Sequence, residues 1–278
     1  MSDPAVRVAV RPDRVAVLTI DQPGAKVNVL TVPLWDELEA ALDALPPDLT
    51  GLVIASGKPG CFIAGADLNL LANATPGDPA VKAFIEEGLR VLAKLEAPPF
   101  PTCAAIDGVA LGGGLELALA CDYRMTGLNE KIRLGLPEVM LGLIPGWGGT
   151  QRLPRIVGIR AALGMLLSGV PLEMHDAARA GLIDGGWLSE TLIDACVKLM
   201  EARPLSRDSK LGPVLRLDSV QEVESESRAA EEVNRVVRAG AGRCLRDAIP
   251  IETEAFLRLA GSDESRAKIA AFFAGRKR

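Results

Sequence analysis

Most acidic residues in this chain stand beside charged neighbours and read as solvated helix faces, but two glutamates do not. If residues 115–121 are helical, the neighbours of Glu116 at three and four residues are Gly112, Gly113, Leu119 and Ala120, with no cation among them. Glu138 sits in Leu-Gly-Leu-Pro-Glu-Val-Met-Leu-Gly over residues 134–142, again without a nearby base. A carboxyl taken out of water without a cation holds its proton more tightly, which permits proton exchange near neutral pH. Burial alone is the competing reading, with either glutamate paired to an arginine distant in sequence. The single histidine, His175, opens a polar helix and reads as a surface residue. A histidine triad, a multi-histidine metal site and a histidine relay therefore have little support within this chain. Acid–base work falls to carboxylates, Lys, Cys or the single Tyr123.

Gly112, Gly113 and Gly114 invite a nucleotide-binding reading, but the dinucleotide fingerprint needs a glycine where Leu117 stands. Ser56-Gly57-Lys58 looks like the end of a phosphate loop, yet Pro59 occupies the required Ser/Thr position. Two readings of the three glycines remain. They make a turn and allow close packing, or they leave backbone N–H groups open to a partially negative oxygen at a helix start.

The elements that must position these groups follow from periodicity. Residues 6–10 and 14–20 form two β-like runs joined by a turn. Residues 33–44 and 80–95 read as helices, 52–56 and 102–107 as strands, and 115–121 as a helix after the glycines. Repeated strand–loop–helix units predict an α/β layer architecture. After about residue 190 the strand signal fades, and 190–202, 220–238, 245–259 and 263–275 read as helices. The expected organisation is a core over 1–190 and a helical region over 191–278.

Composition excludes several classes. Of 278 residues, 49% are apolar and 31 basic residues face 36 acidic ones, so no basic excess drives nucleic-acid binding. The five cysteines are scattered without CxxC spacing and read as reduced intracellular thiols, with Cys61 and Cys121 buried and inert. The N-terminus lacks a signal peptide, and the most apolar stretch, 109–121, is too short to span a membrane. A soluble, cytoplasmic protein without a metal site is expected.

Three long blocks then carry a resemblance. They are Ser-Gly-Lys-Pro-Gly-Cys-Phe-Ile-Ala-Gly-Ala-Asp (56–67), Ala-Ile-Asp-Gly-Val-Ala-Leu-Gly-Gly-Gly-Leu-Glu-Leu-Ala-Leu-Ala-Cys-Asp (105–122) and Gly-Leu-Pro-Glu-Val-Met-Leu-Gly-Leu-Ile-Pro-Gly-Trp-Gly-Gly-Thr-Gln-Arg-Leu-Pro-Arg (135–155). In order and spacing they resemble the crotonase (enoyl-CoA hydratase/isomerase) superfamily over residues 14–188, with a weaker match over 245–277 and none over 203–240. The first and third blocks are most similar to the hydratase domain of the multifunctional fatty-acid oxidation α subunit. The dehydrogenase part of that protein is not expected here, although a separate dehydrogenase or thiolase partner stays open.

The resemblance implies a spiral of ββα units with a C-terminal helical region that covers the acyl site or a neighbouring subunit, in homotrimers often paired as hexamers. It implies an oxyanion hole made by the backbone N–H groups of Ala64 and Gly113. It implies a water held between Glu116 and Glu138, the first taking its proton and the second delivering one to the α carbon of an enoyl-CoA. Fatty-acid β-oxidation is the implied setting. Contacts to the acyl-CoA substrate are implied for Ala25, Lys26, Val27, Ala64, Gly65, Ala66, Asp67, Leu68, Gly112, Gly113, Trp147, Phe272 and Lys277. Plain alternatives accompany several of these: Lys26 solvated, Trp147 and Phe272 merely packed, Asp67 capping its loop. Coenzyme A is part of the substrate, and no cofactor is implied. Alternatives to hydration are double-bond isomerisation, another crotonase-type lyase reaction, or a silent acyl-CoA-binding subunit.

Overall fold

A computed structural model describes residues 3–203, 205, 207, 211–212 and 227–276. The strands are β1 (Val6–Val10), β2 (Val15–Ile20), β3 (Gly51–Ser56), β4 (Gly60–Ile63), β5 (Thr102–Ile106), β6 (Gly108–Leu111), β7 (Tyr123–Gly127), β8 (Arg133–Gly135) and β9 (Gly185–Trp187). The helices of the first half are α1 (Val32–Asp43), α2 (Leu68–Ala72), α3 (Pro79–Glu96) and α4 (Gly113–Ala120). After them come α5 (Gly149–Val157), α6 (Ile159–Ser168), α7 (Met174–Arg179) and α8 (Leu192–Ala202). The last described helices are α9 (Arg228–Ala241), α10 (Leu245–Leu259) and α11 (Asp263–Arg276).

The chain forms two compact units, each drawn from three interleaved stretches of sequence. The first unit takes residues 1–66, 88–134 and 172–206. Its main sheet runs β1-β2-β3-β5-β7-β9, antiparallel only at the β1–β2 hairpin. The hairpin follows the two runs expected from sequence. β5 is buried along its whole length and β3 along all but Ser56, which explains their continuous apolar reading: central parallel strands meet protein on both faces. A second sheet runs β4-β6-β8, with β4 and β6 parallel. Thr31 caps α1 by accepting from the Leu34 N–H at 3.2 Å, and Leu34, Trp35 and Leu38 form its buried face. The N-terminal part of the expected helical region is not separate from this core. Leu192, Ala195, Cys196, Val197 and Met200 of α8 pack with Val15, Val53, Cys103 and Met125 of the sheet.

The second unit takes residues 67–87, 135–171 and 207–278, and its described residues are mainly helical. Here α9 packs on α10, α5 and α6, while α11 packs on α2 and on a short 3-10 turn, Pro137–Leu141. The helix expected over 220–238 is described from Arg228 and extends to Ala241, and residues 220–226 lie outside the described residues. Among the described residues no helix is long and apolar enough to cross a membrane.

Candidate active site

In the first unit the expected donors are backbone groups. Strands β4 and β6 run parallel, with Ile63 opposite Ala110, so the segments that follow them, 64–66 and 112–113, emerge from the same ends of two paired strands. Gly112 caps α4 with φ 53° and ψ −129°, a conformation that a side chain strongly disfavours. Gly114 serves close packing: a Cβ there would stand 2.3 Å from the Ile63 carbonyl oxygen. Gly113, between them, is the first residue of α4, and its N–H belongs to the turn whose amides have no partner inside the helix. The turn-and-packing reading holds for Gly112 and Gly114, and Gly113 lies between them at the helix start.

The other expected donor is differently placed. The Ala64 N–H donates to the Asn28 carbonyl at 2.8 Å, so it reaches an oxyanion only by giving up that bond. One residue on, Leu30 N–H donates to the Gly65 carbonyl at 2.9 Å. A planar trans peptide points its carbonyl and N–H in opposite directions, so the Ala66 N–H faces away from Leu30. Gly65 itself lies beside the end of β6, where a Cβ would be 3.6 Å from the Leu111 carbonyl.

Asn28, whose structural role sequence reasoning did not anticipate, fixes this arrangement. Its side chain is fully buried and donates to Ile20 O, Ser56 Oγ and Phe62 O while accepting from Gln22 N–H. A polar residue flanked by Val27 and Val29 was the available signal. The neighbouring Ala25 and Lys26 are exposed and Val27 is half-buried.

Glu116 occupies the first turn of α4, a helix buried along its whole length, and is itself 1% exposed. Such a helix is apolar all round because no face meets water, and Glu116 is its one charged residue.

The remaining expected residues belong to the second unit. Asp67 is the N-cap of α2, accepting from Asn69 N–H at 2.9 Å, the capping role considered for it, and Leu68 opens that helix. Trp147 is buried, with its ring edge-on to Phe84 at 5.0 Å and its carbonyl accepting from Arg152 Nη1 at 2.5 Å. Phe272 on α11 is partly exposed and stacks edge-on with Phe273. Lys277 lies outside the described residues.

Glu138 stands in the Pro137–Leu141 turn, which closes through Leu143 N–H donating to the Glu138 carbonyl at 3.0 Å. Its Oε2 is buried and has no hydrogen-bond partner among the described residues. Burial pushes the Glu138 carboxyl up to about 8, against its own backbone N–H, which favours the ionised form, and with a smaller upward push from the charge of Glu252. It therefore keeps a proton at neutral pH.

Glu252 is a second residue missed at the sequence level. It is fully buried on α10 and accepts from Gly148 N–H at 2.5 Å, Thr150 N–H at 2.7 Å and Thr150 Oγ1 at 2.5 Å. Burial pushes it upward to about 7, against these donors and Arg152, which favour the ionised form. The sequence did carry a signal: Glu252 falls on the buried stripe Leu245, Ala248, Ala255, Phe256 and Leu259 at helical spacing.

Comparison with known proteins places this geometry in context. The family model for enoyl-CoA hydratase/isomerase matches residues 11–211. Among solved structures, an enoyl-CoA hydratase from Geobacillus kaustophilus HTA426 is 28% identical, with TM-score 0.65, covering 99% of this chain and 96% of its own. DspI from Pseudomonas aeruginosa is 27% identical at TM-score 0.65, with coverage of 99% and 96%. The human mitochondrial delta3-delta2-enoyl-CoA isomerase shares the fold at TM-score 0.75 and 22% identity, with coverage of 99% and 98%.

Proposed function

Because the chain belongs to the enoyl-CoA hydratase/isomerase family, we propose that it is a hydratase, adding water across the double bond of 2-trans-enoyl-CoA esters. The observation that carries this reading is two glutamates withdrawn from water, Glu116 at 1% exposure and the half-buried Glu138, whose buried Oε2 has no hydrogen-bond partner among the described residues. Hydration needs one group that takes a proton from water and another that gives one to carbon.

Glu116 orients the water and removes its proton as the oxygen bonds to the β carbon. The electron pair of the double bond moves toward the thioester, and negative charge gathers on its oxygen. The Gly113 N–H receives that charge at the start of α4, where the helix dipole is also favourable. Since Ala64 is engaged with Asn28, the second donor passes from Ala64 to Ala66. One preorganised donor of this kind lowers the barrier by about 3–4 kcal/mol. The enolate then collapses as Glu138 delivers its proton to the α carbon. Dehydration runs the same steps backwards.

The acyl-CoA carries its own coenzyme, so the reaction calls for no metal or redox group. Lys26 is proposed to meet a CoA phosphate, and Trp147 to line the acyl chain. Phe272 and Lys277 are proposed to contact CoA. Fatty-acid β-oxidation is the proposed setting, and a homotrimer or hexamer the proposed assembly.

The test follows the conjugated enoyl absorbance after crotonyl-CoA is added. Wild type should remove it, and folded Glu116→Gln and Glu138→Gln should each lower kcat by about 10²–10⁴-fold. Unchanged absorbance across several chain lengths, with CoA esters still binding, would reject hydration. Conversion of a 3-enoyl-CoA would then mark an isomerase, and no conversion a silent binding subunit.

A further inference from the structure

The run Ser56-Gly57-Lys58 fails as a phosphate loop, and in the fold it serves another purpose: all three residues hold the segment 20–28. Ser56 Oγ accepts from Asn28 Nδ2 and from Lys58 N–H, each at 3.0 Å, and donates to the Cys61 carbonyl at 2.6 Å. Gly57 N–H donates to the Ile20 carbonyl at 2.9 Å. A Cβ on Gly57 would stand 2.7 Å from the Asp21 Cγ, so glycine is what lets the two segments meet. Lys58 Nζ donates to the Gln22 carbonyl at 2.6 Å and pairs with Asp21 at 2.8 Å, its side chain only 13% exposed. Its charge is thus turned inward rather than offered to a ligand.

Asn28 joins this seat to the candidate donors. Its Nδ2 lies 2.9–3.1 Å from Ile20 O on β2, Ser56 Oγ on β3 and Phe62 O on β4. The first two strands belong to the main sheet and the third to the second sheet, so one amide group ties the two sheets together. Asn28 Oδ1 accepts from Gln22 N–H, and Gln22 Oε1 accepts from Val29 N–H, which closes residues 22–29 on themselves. The Asn28 carbonyl then accepts from Ala64 N–H, and two residues on, Leu30 pairs with Ala66 in an isolated parallel bridge.

We infer that Asn28 is a positioning residue for the oxyanion hole: seated on Ser56, it engages the Ala64 N–H and sets Ala66 as the amide that faces the thioester oxygen. This rests on the proposed reading in which Gly113 and Ala66 receive the charge of the enolate. The residues named all lie in the first unit. The main sheet does not need Asn28 for its register, because β2 and β3 pair along their whole length from Val15–Gly51 to Ile20–Ser56. What Asn28 adds lies beyond that ladder, where the chain turns toward residues 64–66. Only an amide suits the place. A carboxylate would set negative charge against the Ile20 and Phe62 carbonyls, and an apolar side chain would leave buried partners unpaired.

The experiment compares wild type, Asn28→Ala and Ser56→Ala by thermal unfolding, by crotonyl-CoA hydration and by the infrared thioester carbonyl band of bound 13C-labelled butyryl-CoA. Butyryl-CoA has no double bond to hydrate, so its carbonyl reports the donors alone. Wild type should move the band to lower frequency on binding, because aimed donors draw charge onto the oxygen. Asn28→Ala should lose part of that shift and lower kcat by about 10²-fold, the effect of a donor misplaced by about 1 Å, with KM little changed. Ser56→Ala, which keeps the Asn28 amide but removes one of its seats, should do the same to a smaller extent, and it carries the test if Asn28→Ala does not fold. A role limited to stability would lower Tm and leave the band of the bound ligand in place. A folded variant whose band matches wild type would therefore overturn the inference, as would a wild type that leaves the bound carbonyl unshifted. A wild type that shifts the band but hydrates nothing, with the shift reduced in the variants, would reject the hydratase reading and uphold the positioning role.

Discussion

In the first unit the candidate chemistry lies in main-chain amides at the ends of β4 and β6, whereas in the second it lies in carboxyl side chains on a turn and a helix. The two are fragile in different ways. An amide donor survives almost any side-chain exchange that keeps the backbone path, yet fails when a single Cβ shifts that path. A carboxyl tolerates small backbone movement, yet loses its function when one oxygen becomes an amide nitrogen. Glu116 joins the two cases, since it is a side chain carried by the helix that the glycines position.

The sharpest way to break the contrast is Gly114→Ala. The added methyl would stand 2.3 Å from the Ile63 carbonyl oxygen and 2.8 Å from the Ile63 Cβ, so β4 and α4 would have to separate. The expected cost is about 3 kcal/mol, read by denaturant unfolding. Unchanged stability would show that close packing is not what requires glycine there.

A smaller effect tests the carboxyl side. The folded protein binds the Glu138 proton more tightly than the unfolded chain, whose carboxyl has its ordinary value of 4.5. The sign follows from linkage: this contribution is full below 4.5 and is lost as pH rises through about 8. Glu138→Gln has no such proton to lose. Its Tm relative to wild type should therefore rise between pH 5 and pH 9, and a constant difference would place Glu138 in an ordinary solvated setting.

Gly164→Ala gives the smallest effect, with the opposite sign to Gly114→Ala. Gly164 lies within α6, and a Cβ there meets nothing within 4 Å. Alanine should stabilise the protein by about 0.5–1 kcal/mol through helix propensity alone. Destabilisation in a thermal melt would mean that the position is packed in solution.

Much of the frame could be read without coordinates. The β1–β2 hairpin, α1, α3, β3, β5 and α10 fall within a few residues of their expected limits, because each has a sustained period and a clear boundary. The β4-β6-β8 sheet escaped because its strands are three or four residues long and each contains a glycine, which weakens the strand signal. The start of α4 was set at Leu115 rather than Gly113, since three glycines read as loop until Gly112 is seen turning the chain into the helix. That Glu116 and the Oε2 of Glu138 are withdrawn from water was legible, because a carboxyl without charged neighbours in an apolar block is a local anomaly. The partner of the Ala64 N–H was not, because the direction of an N–H depends on which distant carbonyl claims it, here that of Asn28. Glu252 was legible in principle, but residues 245–259 were read only as a helix, without asking which of its positions face the core.

The interleaving of the chain also governs the order in which it can fold during synthesis. The sheet face bearing Val15, Val53 and Cys103 is covered by α8, whose residues leave the ribosome long after β2 and β3. Until then the nascent chain carries a bare apolar surface, and its parallel pairings join segments far apart in sequence. A truncated translation product ending before Leu192 would lack the helix that closes this core, and would present to the cell a sticky sheet rather than a smaller version of the protein.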